Sequence, residues 1–145
     1  MTRTTRLQPI AKINKQEERN AARIHGETMQ QAEQQQKQLS ELIAYRNQYL
    51  KGFQSAVKSG LAAVQMQDYR LFIQRLDEAI AQQQQCVTNG QQKCASSREQ
   101  WADKRNRSKM INKVVEKSER SEQQASERRE QRELEDRPHK NSTIR

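Results

Sequence analysis

The chain has 145 residues, with 27 Lys and Arg against 18 Asp and Glu, a formal charge of +9, and 32% hydrophobic residues. That apolar share is too small to close an ordinary globular core, and four Gly with two Pro supply little turn chemistry, which argues against a compact enzyme domain. The 23 Gln, with Glu, Lys, Arg and Ala, fill the interval between Pro9 and Pro138 with helix formers, so the expected class is a long helix or coiled coil that buries one narrow seam.

The first arm is expected over about residues 7–58. From Met29 the 3,4 alternation Met29, Ala32, Gln36, Leu39, Ile43, Arg46, Leu50, Phe53, Val57 marks a heptad seam, and Leu7, Ile10, Ala21 and Ile24 make a weaker upstream seam offset by about one residue. Ser59-Gly60 and Asp68, a favourable helix N-cap, bracket a hairpin tip at about 59–68. A second arm, about 69–136, carries Tyr69, Ile73, Leu76, Ile80, Gln83, Val87, Gly90, Cys94, Ser97, Trp101, Lys104, Ser108, Ile111 and Val115 without a break in spacing. Gly90 inside it marks either a weak point or a close helix approach.

Beyond Val115 the chain is charged and nearly seamless, and 137–145 reads as a frayed tail. Together these give one elongated all-α domain, a long antiparallel two-helix coiled coil; the alternative is a single continuous helix in a parallel dimer.

Apolar runs such as Leu61-Ala62-Ala63-Val64 are far shorter than the roughly 18 to 20 residues that span a bilayer, and the polar N-terminus lacks a signal-peptide core, so a cytoplasmic protein without membrane insertion is expected. Cys86 and Cys94, about 12 Å apart on one helix, cannot bridge each other. His25 and His139 lie in opposite segments, no CxxC, HExxH or Gly-rich phosphate loop is present, and the adjacent acids Asp77-Glu78 and Glu135-Asp136 sit on solvated helix. No catalytic residue, metal site or cofactor is therefore expected.

Five of the six aromatic residues, Tyr45, Tyr49, Phe53, Tyr69 and Phe72, fall on the two sides of the tip. Residues 69–83 carry two stripes: Tyr69, Ile73, Leu76 and Ile80 fit the seam, while Phe72, Leu76, Ala79 and Gln83 define a neighbouring face, which is either distal packing or a docking surface. The basic run Lys104, Arg105, Arg107, Lys109, Lys113 fits an acidic protein surface better than nucleic acid, since only Trp101 could stack on a base. At the open end, Arg19 and Arg23 on the first arm and Arg128, Arg129 and Arg132 on the second form a charged region that another protein could grip.

The segments Leu42-Ile43-Ala44-Tyr45-Arg46-Asn47-Gln48-Tyr49 and Asp68-Tyr69-Arg70-Leu71-Phe72-Ile73-Gln74-Arg75-Leu76-Asp77-Glu78-Ala79-Ile80, with Trp101 and Lys104 further on, resemble the flagellar export protein FliJ family over about residues 7–136. The resemblance implies a hairpin like the central stalk, or gamma subunit, of rotary ATPases. It also implies a non-enzymatic part of the flagellar type III export apparatus, in the cytoplasm and peripherally associated with the inner membrane at the flagellar base.

The implied partners are a FliI-type ATPase hexamer, entered by the terminal ends (Arg19, Arg23, Arg128, Arg129, Arg132), and the cytoplasmic domain of a FlhA-type export gate, met by Phe72, Leu76, Ala79 and Gln83. Gln83 offers that face only a polar amide. Export chaperones are further implied partners. An injectisome-type stalk and a basic coiled-coil nucleic-acid binder are the alternatives.

Overall fold

The computed structural model describes residues 2–137, which form two helices, α1 (Arg3–Ser59) and α2 (Ala63–Asp136), with no strand among the described residues. The all-α hairpin expectation is met. The tail expected to fray, including Pro138 and His139, lies outside the described residues from 138 onward.

The tip is tighter than the sequence suggests. α1 stops because Gly60 turns into the left-handed region at φ 91°, its N–H donating to Val57 O at 3.2 Å. α2 then starts three residues later. The Ala62 N–H donates to Gln65 Oε1 (3.3 Å) while Met66 N–H donates to Ala62 O (3.1 Å), the side-chain half of a capping box. Asp68 is therefore inside α2 and is not its cap, because Gln65 has already satisfied an N-terminal donor.

Two compact units are present. One comprises Asn20–Trp101. In it His25 meets Ser97, Gln35 meets Gln83, Arg46 pairs with Asp77, and Phe53 packs on Tyr69, so partner numbers fall as α1 numbers rise. These contacts within one chain establish antiparallel pairing and replace the continuous-helix alternative.

The α1 seam in this unit runs through His25, Thr28, Ala32, Gln35, Leu39, Leu42, Arg46, Tyr49, Phe53 and Ala56. Every second expected position was one residue late: Met29, Ile43 and Val57 are exposed, whereas Thr28, Leu42 and Ala56 take the seam. The physical reason is the facing surface. At Gly90 a Cβ would fall on Gln35 Oε1 and lie 3.7 Å from Ala32 Cα, so α2 comes close enough to α1 to favour small or polar side chains there. Gly90 is thus a close-approach residue. Among the described residues Leu39, Leu76 and Val87 are the buried apolar side chains, each contributing about 1.5–3 kcal/mol.

The other unit joins the residues up to Arg19 with those from Ala102 onward. Its α1 seam is Thr4, Leu7, Ala11, Asn14 and Glu18, with the same 3,4 alternation; Ile10, expected in the seam, is exposed. Thr4 Oγ1 donates to Ser118 Oγ at 2.9 Å, and Thr4 N–H donates to Glu122 Oε1 at 3.1 Å. The Glu122 carboxylate thereby complements the positive end of the α1 dipole. At the same end Thr5 N–H donates to Thr2 Oγ1 (3.3 Å), a side-chain cap that starts α1 upstream of the expected Leu7; the helix continues through Pro9. Among the described residues Ser108 is the most deeply buried side chain, and its Oγ has no partner there.

Candidate partner-binding surfaces

The aromatic residues flanking the tip form one chain of ring contacts. Phe53 and Tyr69 lie 5.2 Å apart between centroids, as do Tyr49 and Tyr69, while Phe72 lies 4.4 Å from Tyr49 and 6.4 Å from Tyr45. Burial among these rings raises the Tyr49 phenol above the usual tyrosine range, with Tyr69, Tyr45 and Asp68 adding to the effect.

The four residues of the expected second stripe have different environments. Leu76 is buried in the seam, and Phe72 is half-buried with its ring against α1. Ala79 is half-buried. Gln83 turns its amide inward, Nε2 donating to Gln35 O at 2.9 Å and to Gln38 Oε1 at 3.4 Å. The remaining accessible part of this stripe is the outer edge of Phe72 and Ala79, beside Tyr45, which is exposed.

Within the unit that holds both, Arg19 is not brought to Arg128, Arg129 and Arg132. Arg23 belongs to the Asn20–Trp101 unit, where it bonds Glu27 (2.7 Å) and Asn20 (2.7 Å). Arg19 lies near the level of Lys104, fixed by the 3.1 Å pair between Lys104 and Glu17. Arg128, Arg129 and Arg132 are exposed on α2 some 24 residues further along, about 36 Å at 1.5 Å per residue. They also lie past Ser118 and Glu122, the residues that meet Thr4 near the start of α1.

Within the basic run, Arg107, Lys109 and Lys113 are exposed, Lys104 is tied to Glu17, and Arg105 is exposed but engaged with a neighbour. Cys86 and Cys94 are both free thiols. Among the described residues no cluster of His, Cys, Asp and Glu could hold a metal ion, and no helix is long and apolar enough to cross a membrane.

Two features escaped the sequence reading. His25 is buried between the helices: its Nδ1 lies 2.8 Å from Ser97 Oγ, which also meets Thr28 Oγ1 at 2.7 Å, and its ring stacks on Trp101 at 5.7 Å. Its place in the 3,4 series with Ala21, Thr28 and Ala32 was the available signal. The second is a set of exposed apolar side chains, Ile10, Ile13, Met110 and Val114, whose i,i+3 and i,i+4 spacings place each pair on one helix face.

Comparison with known proteins bears on what such a hairpin is. A model of the family described as flagellar FliJ protein matches residues 3–136. The flagellar FliJ protein of Escherichia coli (strain K12) is 31% identical over 101 residues, 70% of this chain and 69% of that protein. That of Salmonella typhi is also 31% identical over 101 residues, with the same coverage. A match spanning both helices and the tip between them means that the chain belongs to the flagellar FliJ family.

Proposed function

We propose that this flagellar export-related protein is a non-catalytic stalk that promotes assembly and activity of a FliI-type export ATPase ring and couples that ring to a FlhA-type export gate. It works in the cytoplasm at the flagellar base, with export chaperones as further partners. The observation that supports this most directly is the family match over residues 3–136 on a chain folded as two long antiparallel helices.

The mechanism is mechanical and thermodynamic. A helical pair that binds the assembled ring better than free subunits shifts the assembly equilibrium by mass action, without chemistry of its own. The charged surfaces at Arg19 and at Arg128, Arg129 and Arg132 act on the ring, with Arg23 contributing from the neighbouring unit. The accessible edge of Phe72 and Ala79, with Leu76 and Gln83 holding it against α1, acts on the gate.

The test is the turnover and oligomeric state of a purified FliI-type ATPase with and without the full chain, repeated with Arg128→Glu, Arg129→Glu and Arg132→Glu combined. Stimulated hydrolysis with ring formation that the triple substitution abolishes is the expected result. Unchanged turnover and assembly in the presence of the wild-type chain would refute the ring-assembly reading.

A further inference from the structure

The unit formed by the residues up to Arg19 and those from Ala102 onward presents an apolar quartet to solvent: Ile10 (46% exposed), Ile13 (57%), Met110 (67%) and Val114 (38%). All four lie on one side of the seam. Arg3 shares a groove with Val114, Lys117 and Ser121, and Glu17 reaches Lys104, so both acquire α2 neighbours on that side. Ile10 lies seven residues from each of Arg3 and Glu17 and therefore falls on the same line of α1. Ile13 is three residues on from Ile10, and Met110 is four before Val114, so each extends the face begun by its neighbour.

Cations flank the quartet: Arg6 lies four residues before Ile10 and Arg3 seven, Lys117 three after Val114, and Arg107 three before Met110. The two segments that carry the quartet are strongly basic. Residues 1–19 and 102–117 hold eleven Lys and Arg against four Asp and Glu, an excess of seven out of the total of +9. Two of those four acids are occupied, Glu17 by Lys104 at 3.1 Å and Glu18 by Lys15 at 3.5 Å.

We propose that this face is a peripheral binding site for an anionic phospholipid surface, the Ile10, Ile13, Met110 and Val114 side chains entering the boundary between headgroups and acyl chains while the flanking cations meet lipid phosphates. Aliphatic and thioether side chains gain by leaving water in any apolar medium, and long Lys and Arg side chains can keep their charges at headgroup level while their stems cover apolar surface. The quartet contains no aromatic ring to stack on a base, which disfavours nucleic acid. It also offers no polar side chain of its own to fix the register of a protein helix, whereas a fluid anionic surface requires none. The site goes beyond the stalk reading and does not depend on it, since vesicle binding needs neither ATPase nor gate.

The experiment is co-sedimentation of the full chain with vesicles of phosphatidylethanolamine and phosphatidylglycerol at 3:1, and with phosphatidylcholine vesicles, in about 0.1 M NaCl. The expected result is binding to the anionic vesicles only, weakened by higher salt. Ile13→Gln with Met110→Gln, the two most exposed positions, should lower the partition about tenfold while far-ultraviolet circular dichroism stays unchanged. Should the pair disturb helicity, Met110→Gln alone serves, with Leu71→Gln in the other unit as the control that leaves binding intact.

No binding to anionic vesicles, or binding that survives both apolar substitutions, would overturn the proposal. So would binding to a polyglutamate chain in place of vesicles, which would assign the face to an acidic protein.

Discussion

Gly90 lies where an added methyl would strike Gln35, yet Gly90→Ala should stabilise the protein. Replacing Gly by Ala in a helix interior gains about 1 kcal/mol. Against that stands the position a Cβ would take, on Gln35 Oε1 and 3.4 Å from Gln35 Cδ, with Ala32 Cα at 3.7 Å. Only the end of a flexible side chain is in the way, and the backbone contact is an ordinary van der Waals distance. Gln35 Oε1 is buried with no hydrogen-bond partner among the described residues, so turning the amide away sacrifices no bond there and relieves an unpaired acceptor.

Re-orienting the side chain costs about 0.5–1.5 kcal/mol, which the relieved acceptor offsets, leaving a net gain of about 1 kcal/mol. Urea unfolding followed at 222 nm should show a midpoint raised by about 0.3–1 M at unchanged slope. Gly90→Ala in a Gln35→Ala background should gain a similar amount, and Gly90→Leu should lose about 1–3 kcal/mol against Ala32. Destabilisation by Gly90→Ala in both backgrounds would refute the reasoning, because the limiting contact would then be the two backbones.

Three further outcomes follow from the tip. Gly60→Ala should cost about 1 kcal/mol by forcing a Cβ into a φ of 91°, read as a lower urea midpoint. Phe72→Ala should cost about 1–3 kcal/mol by removing ring contacts to Tyr49 and Tyr45, whereas Ala79→Ser, at a half-buried position outside the ring contacts, should change stability by under about 1 kcal/mol; equal losses would contradict the assignment of Phe72 to packing as well as surface. Because Tyr49 has a raised pKa, the folded chain holds that proton longer than the unfolded one: its stabilisation is full below the unfolded tyrosine value and is lost as pH rises through the folded value. Melting temperature should therefore fall above about pH 10 less steeply in Tyr49→Phe than in wild type, and identical slopes would remove Tyr49 as a contributor.

The second arm was legible from sequence through its polar members as well as its apolar ones, because Tyr69, Leu76, Val87, Trp101 and Ile111 are spaced closely enough to fix the phase between them. The first arm was less so. Met29, Ile43, Leu50 and Val57 form a line at seven-residue intervals or multiples of them, and apolarity alone selects that line over Thr28, Gln35, Leu42, Tyr49 and Ala56. The information that reverses the choice lies on α2, where Gly90 and Ser97 leave room only for small or hydrogen-bonding groups, and a one-helix pattern does not contain it. The tip failed for a different reason: Gln65 caps from the third helical position, which makes the better-known capping residue Asp68 unnecessary. Of the candidate sites, the stripe from Phe72 to Gln83 was visible as spacing, but its division between seam and surface depends on which rings α1 supplies. The distance between Arg19 and Arg128 depends on register, which charge content does not encode.

The stack of His25 on Trp101 gives the protein its own optical gauge. Trp101 is the chain's single tryptophan and touches a ring from the opposite helix, so its emission is sensitive to whether α1 and α2 are zipped at that level. Ellipticity at 222 nm follows a different quantity, the number of residues still helical. A partner that pries the helices apart while leaving them intact would shift the emission at constant ellipticity, whereas melting would change both. Interhelix separation during engagement can thus be followed in the unlabelled native chain, without introducing a dye or a second tryptophan.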